Sequence, residues 1–194
     1  PALVQSFRYA PMGEVFTVVV NHLKSKGSSC DAIGDPDLGD GQGNCNLTRL
    51  DAVRVILDYL ATDPTGVNDP DHMIIGDLNS YAMEDPIQAL EDAGYVNLVD
   101  QQYTYAYYGQ WGTLDYAFVS PRMVENVTGT APWHVNADEP NVLNYNTDYI
   151  SPEQVNYLYS DAFYRVSDHD PVVVGMKSVW TLWMPMVMRN GTMP

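Results

Sequence analysis

Met73-Ile74-Ile75-Gly76-Asp77-Leu78-Asn79-Ser80 reads as a short buried strand that runs straight into a carboxylate and an amide. Polar groups at the end of such a strand stand where α/β folds build their sites. Asp77 can act as a base or a metal ligand, and Asn79 can donate to an anionic oxygen. The same Gly-Asp-x-Asn is also a good Asx turn closing a strand. Its meaning therefore depends on what the rest of the chain brings to that end.

Upstream, the β-branched run Val15-Phe16-Thr17-Val18-Val19-Val20 is long enough for a strand and too short for a helix, and it ends in Asn21-His22-Leu23-Lys24-Ser25-Lys26. Residues 27 to 46, rich in Gly, Asp, Ser and Asn, read as a loop. Its Asp35, Asp37 and Asp40 invite a calcium reading, but their spacing misses the EF-hand pattern and fits a solvated acidic loop better. Leu47, Leu50, Val53, Leu57 and Leu60 then recur at steps of three and four, which predicts a helix with these residues on its core face and Asn46 as its cap. Asp85 and Pro86 open a second helix as cap and first residue, and Gly94 ends it.

Further on, the aromatic alternation over Tyr103-Thr104-Tyr105-Ala106-Tyr107-Tyr108 is strand-like, residues 109–112 form a turn, and Tyr116-Ala117-Phe118-Val119 is another strand. Residues 129–165 lack periodicity and read as a long loop insertion before a last core strand, Val172-Val173-Val174. From Lys177 to Pro194 the chain becomes apolar but is broken by Pro185. An extra strand, a linker and an anchor remnant all remain open for this tail.

A length of 194 residues with 45% hydrophobic content is enough for one domain with a sizeable core. No run of 18 apolar residues is present, so no segment reads as a membrane span. The formal net charge of −16, with only 9 Lys and Arg, argues against capture of nucleic acid by a basic surface. Phosphate chemistry would have to rest on local dipoles and bound cations. Cys30 and Cys45 flank the polar loop. In a secreted protein they can close a disulfide worth roughly 3 kcal/mol, and in a cytosolic one they would stay free. A start at Pro1, running at once into strand-like sequence, reads as a fragment or a processed product.

Four polar clusters share one property. His22 and the Asp77–Asn79 pair follow strands, whereas Asp115 and Ser167-Asp168-His169-Asp170 precede them. If the later strands run antiparallel to the earlier ones, all four clusters fall on one rim. These residue types suit phosphoester hydrolysis. Asp168 offers a hard oxygen to Mg²⁺ beside an imidazole, and Asp115 can orient His169 and hold its protonated form. His22 and Asn79 can donate to non-bridging phosphate oxygens, while Asp77 can orient or deprotonate water. His72 and His134 lack such company and His72 reads as structural; Lys24 and Lys26 read as a solvated pair or as phosphate contacts.

Asn-His-Leu-Lys-Ser at 21–25, Gly-Asp-Leu-Asn at 76–79, Leu-Asp-Tyr at 114–116 and Ser-Asp-His-Asp-Pro at 167–171 together resemble the motifs of the endonuclease/exonuclease/phosphatase superfamily, over about residues 1 to 176. The Cys30 to Cys45 loop, Asn46-Leu47-Thr48-Arg49 and the stretch Trp133 to Pro140 are similar to large secreted bacterial nucleases. The resemblance implies an α/β (α+β) fold, a four-layered sandwich with mostly antiparallel sheets. It implies an Mg²⁺ cofactor, with Mn²⁺ or Ca²⁺ as substitutes, a nucleic acid substrate, a secreted location and a disulfide between Cys30 and Cys45. By motif, His22 matches a phosphate-binding His, Asp77 a water-orienting Asp and Asn79 a phosphate-stabilising Asn. Asp115 matches the Asp that orients the last His, Asp168 a metal ligand and His169 the catalytic His, with Asn21 and Lys24 as weaker substrate contacts.

One departure stands out. The family's first half supplies a further Asn and a metal-binding Glu, and the 14 residues before the first β-branched run have no place for them. The chain is thus expected to be the C-terminal half of a catalytic domain, feebly active alone and exposing apolar surface where the other half packs. Phosphatase, phospholipid phosphodiesterase and noncatalytic binding module are the competing expectations.

Overall fold

A computed structural model describes residues 2–9, 13–144, 146–148, 150–160, 162 and 164–177. The apolar tail therefore lies, beyond Lys177, outside the described residues. The strands are β1 (Ala2–Tyr9), β2 (Glu14–His22), β3 (His72–Asp77), β4 (Val96–Asn97), β5 (Tyr105–Tyr107), β6 (Gln110–Gly112), β7 (Asp115–Val119), β8 (Val127–Pro132) and β9 (Val172–Met176). The helices are α1 (Asn46–Ala61), α2 (Asp85–Asp92) and α3 (Pro152–Leu158).

Five strands form the main sheet in the order β1-β2-β3-β7-β4. Among the described strands only β2 and β3 run parallel; the other pairs are antiparallel, and β8–β9 and β5–β6 make two further antiparallel ribbons. The α/β class with mostly antiparallel sheets is thus as the resemblance implied. Strand alternation divides the core. Val19, Ile74, Tyr116 and Phe118 face Val53, Ile56 and Leu60 of α1 and Ile87 and Leu90 of α2. On the opposite face Met73 and Val119 meet Met123, Val127 and Val174, which brings the β8–β9 ribbon against the sheet. The described residues account for three layers: helices, main sheet and ribbon. On the ribbon side, Leu3, Phe7 and Val20 of β1 and β2 remain 67%, 50% and 44% exposed.

α1 forms where the leucine periodicity places it, but its core face is rotated from the expected one. Arg49, Val53, Ile56 and Leu60 are buried, Leu50 and Leu57 are only partly so, and Leu47 is exposed. Asn46 is no cap either, because its side-chain amide donates to Asp85 Oδ2 at 2.8 Å. The cap comes from the acidic loop. Asp35 accepts the Leu47 amide at 3.1 Å, the Thr48 amide at 2.8 Å and the Thr48 hydroxyl at 2.7 Å. Asp35 is buried rather than solvated. The disulfide joins Cys30 to Cys45, the residue just before α1, across a separation of 15.

Three further expectations shift. Residues 110–112, expected within a turn, are strand β6 paired with β5. α2 begins after Glu84 rather than after Asp85, with Pro86 still in its first turn. Residues 129–165 are not all loop: most of β8 lies there, paired with β9, as does α3 behind a Ser151–Gln154 capping box.

Candidate functional site

β2 and β3 run parallel, so their C-terminal ends meet, and the antiparallel β7 starts at the same edge. The register sets His22 beside Asp77 and Asp77 beside Asp115. Gly76 makes this approach possible. Its φ is +121°, and a Cβ there would lie 2.0 Å from the Asn21 carbonyl oxygen.

His169 reaches the edge on a segment held by β5. Ala106 N donates to Asp168 O at 3.0 Å and Asp170 N to Thr104 O at 2.7 Å, so residues 168–170 are clamped from both sides. Thr104 Oγ1, fully buried, accepts the amides of Leu114 at 3.1 Å and Asp115 at 2.9 Å and fixes the start of β7. His169 Nδ1 then lies 2.7 Å from Asp115 Oδ2, and the Tyr105 ring packs on its imidazole at 4.8 Å. Burial alone would lower the His169 pKa. The Asp115 hydrogen bond and the charges of Asp115, Asp77 and Asp168 outweigh it and hold the pKa above its ordinary value.

Asp77 is flanked by His22, whose Nε2 is 3.5 Å from Oδ2. Burial pushes the Asp77 carboxyl up, and the Asp115 charge adds to the rise against a hydrogen bond from the Asn79 amide. Asn79, in the left-handed region at φ 48°, sends its side-chain amide to Leu23 O at 3.2 Å and to Asp77 Oδ2 at 3.0 Å. Here it positions Asp77, with its donors directed at protein oxygens rather than outward.

Asp77, Asp115 and His169 present ligand atoms all within 4.8 Å of one another. Two carboxylates held this close, one of them with a raised pKa, form a site that a divalent cation would relieve electrostatically. The hard oxygens suit Mg²⁺, Mn²⁺ or Ca²⁺.

The other expected residues are placed differently. Asp168 does not join the three-residue group; it lines a neighbouring cavity. Asn21 is buried, with Nδ2 on Val19 O at 3.2 Å and Oδ1 without a partner. Lys24 is exposed, as expected of a solvated lysine. Lys26 is not solvated: it pairs with the buried Glu84 and sits 4.5 Å over the Tyr81 ring. His72 is structural as expected, with Nδ1 3.1 Å from the Tyr95 hydroxyl.

Two features escaped the sequence. His134 does have company, since its Nδ1 is 2.9 Å from the buried Asp170 and its ring stacks on Tyr103 at 4.1 Å. The partners lie 36 positions apart, so no local spacing reveals them. Arg49, fully buried, donates to Ser80 Oγ at 3.0 Å, Lys24 O at 3.3 Å, Asn44 O at 2.6 Å and Gln42 O at 2.9 Å. One guanidinium thereby fastens the turns after His22 and Asn79 to the disulfide loop.

No protein-family profile and no curated protein matches the chain. Solved structures do. The human Nocturnin catalytic domain with bound sulfate is similar at 16% identity and a TM-score of 0.51, over 89% of this chain and 52% of that one. An endonuclease/exonuclease/phosphatase from Bacteroides vulgatus aligns at 14% identity and a TM-score of 0.51, over 89% and 53%. An AP endonuclease from Archaeoglobus fulgidus aligns at 14% identity and a TM-score of 0.50, over 84% and 62%. The chain thus spans between half and two thirds of the length of these structures. At such identities the likeness speaks for architecture, and with the rim assembled as described, this chain has the fold of the endonuclease/exonuclease/phosphatase proteins.

Proposed function

We propose that the chain is the C-terminal portion of a metal-dependent phosphodiester hydrolase, an extracellular nuclease. The observation that carries this reading is the meeting of Asp77, Asp115 and His169 within 4.8 Å at one sheet edge, with His22 beside them. Asp115 accepts the Nδ1 proton of His169, which leaves Nε2 to give or take a proton at the scissile group. Asp77, oriented by Asn79, accepts from a water positioned for attack. His22, exposed at the edge, donates to a non-bridging oxygen. A divalent cation held by the Asp77 and Asp115 oxygens would supply charge stabilisation for the phosphoryl group.

The wider parts of the reading have separate support. The disulfide fits an oxidising, extracellular compartment. No described helix is long and apolar enough to cross a membrane. The span of about half of the similar structures, together with the exposed Leu3, Phe7 and Val20, supports a missing N-terminal half that packs on β1 and β2.

The test is plasmid cleavage with Mg²⁺ and with chelator, by this chain, by a version extended N-terminally from its gene, and by the extended His169→Ala variant. Cleavage by the extended protein alone, abolished by chelator and by the substitution, is the expected result. Plasmid and a single-stranded oligonucleotide both left intact in every lane would sink the nuclease reading.

A further inference from the structure

Beside the catalytic edge lies a cavity of about 840 Å³, within the size range of small-molecule sites, that the mechanism above leaves unused. Ser167 and Asp168 form the wall it shares with the catalytic segment, so its contents would lie next to His169. Tyr107 and Tyr108 make a second wall, their rings edge-to-face at 4.3 Å and 69°. That wall is continuous with the reacting centre, because Tyr105 stacks 6.1 Å from Tyr107 and packs on His169. Carboxamides form much of the remaining wall: Asn141, Asn144, Asn146 and Gln154.

The charges decide what such a cavity can hold. Its lining carries Asp148 and Asp168 against one cation, Arg165. That guanidinium is buried and already donates to Asn144 Oδ1 at 2.9 Å, Ala106 O at 3.3 Å and Ala137 O at 3.4 Å. A phosphate is disfavoured there. An uncharged planar heterocycle suits it, since aromatic faces stack on such a ring and the exposed Asn141 carboxamide can present both a donor and an acceptor to its edge. The side-chain oxygens of Asn144, Asn146 and Gln154 already accept from Arg165, Asp148 and Ser151. The chain as a whole points the same way. With a net charge of −16 it gains little affinity from releasing counterions, so binding energy must come from contacts to the base. Paired bases in a duplex keep their faces stacked and out of reach.

The geometry points to a nucleobase subsite: the cavity takes one unpaired base of a nucleotide whose phosphate lies at the His22–His169 edge. The position of the phosphate rests on the hydrolase reading, whereas the base contacts stand on the cavity alone. Calorimetric titration separates the two, using AMP and ribose 5-phosphate as probes that differ only in the base. AMP is expected to bind at least about tenfold more tightly, the scale that stacking of one base provides. In Tyr108→Ala and in Asn141→Ala, both exposed positions with folding checked by circular dichroism, that advantage should shrink to about threefold or less. Equal binding of the two probes, no binding of AMP, or an advantage that survives both substitutions would overturn the subsite.

A parallel assay compares chelator-sensitive cleavage of a single strand and its duplex by the N-terminally extended protein. Faster cleavage of the single strand is expected, and equal rates would also overturn the proposal. Failure to cleave either one defeats the hydrolase reading and leaves the titration to decide the subsite.

Discussion

His169 and Asp115, 54 positions apart in the chain, share a 2.7 Å hydrogen bond through Nδ1 and Oδ2. With a carboxylate as acceptor, Nδ1 carries the proton, and the tautomer is set by the protein rather than by substrate. Asp115→Asn keeps the size of the side chain but presents an amide that favours the other tautomer. In the N-terminally extended protein we expect kcat for DNA cleavage to fall by about 10²–10⁴-fold with KM little changed. An unchanged kcat in steady-state assays would remove His169 from proton transfer.

The 2.0 Å gap that a Gly76 Cβ would leave to the Asn21 carbonyl cannot be relieved by a rotamer change, since the obstacle is backbone. Gly76→Ala should therefore destabilise the chain by about 4 kcal/mol or more, at the far end of single-substitution effects. Thermal melting of the two proteins checks this. A melting temperature within about 2 °C of the parent would contradict the parallel register of β2 and β3.

Asp35 gives a pH dependence. Burial would raise its carboxyl, but hydrogen bonds from Thr48 and Leu47 and the charge of Arg49 prevail and hold its pKa below the ordinary value. A carboxyl depressed on folding stabilises the protein fully above its unfolded pKa of about 3.9, and that contribution vanishes as pH falls through the lower folded value. Asp35→Asn should then cost about 1–2 kcal/mol near neutral pH. The gap to the parent should narrow below about pH 4, as followed by urea unfolding. A gap independent of pH would mean that Asp35 is not the charged cap of α1.

Reduction of the Cys30–Cys45 bond opens a loop of 15-residue separation and should lower stability by roughly 3 kcal/mol. Denaturant midpoints with and without reductant measure it. Because Arg49 ties Asn44 and Gln42 to Ser80 and Lys24, amide exchange should also quicken in the turns after His22 and Asn79. Exchange confined to residues 30–45 would show that the loop and the turns after His22 and Asn79 are mechanically independent.

Much of this was legible because strands and sites announce themselves locally. The apolar runs at 15–20, 73–75, 116–119 and 172–174 all fall in strands, and Asp77, Asp115 and His169 near their ends do gather on one edge. Local pattern failed where a distant partner decided the outcome. Leucine spacing could not reveal that Arg49, with five donors to satisfy, would take a core position on α1 while Leu47 stayed outside. Asn46 has cap chemistry, but Asp35, brought close by the disulfide loop, reaches the helix amides instead. β8 was invisible because Val127-Thr128-Gly129-Thr130 has neither alternation nor a hydrophobic run, and it becomes a strand only against β9.

The parallel pairing of β2 with β3 has a consequence for how the protein comes into being. Neighbouring parallel strands cannot be joined by a tight turn, and here the chain travels through the disulfide loop and α1 before it returns. His22 and Asp77 therefore meet only after a long closure, and His169 joins only once nearly all of the chain to Lys177 has been made. No N-terminal intermediate of synthesis holds the hydrogen-bonded pair, because Asp115 emerges from the ribosome 54 residues ahead of its imidazole partner. The paired groups of this edge are assembled only when the 167–171 segment docks beside β5.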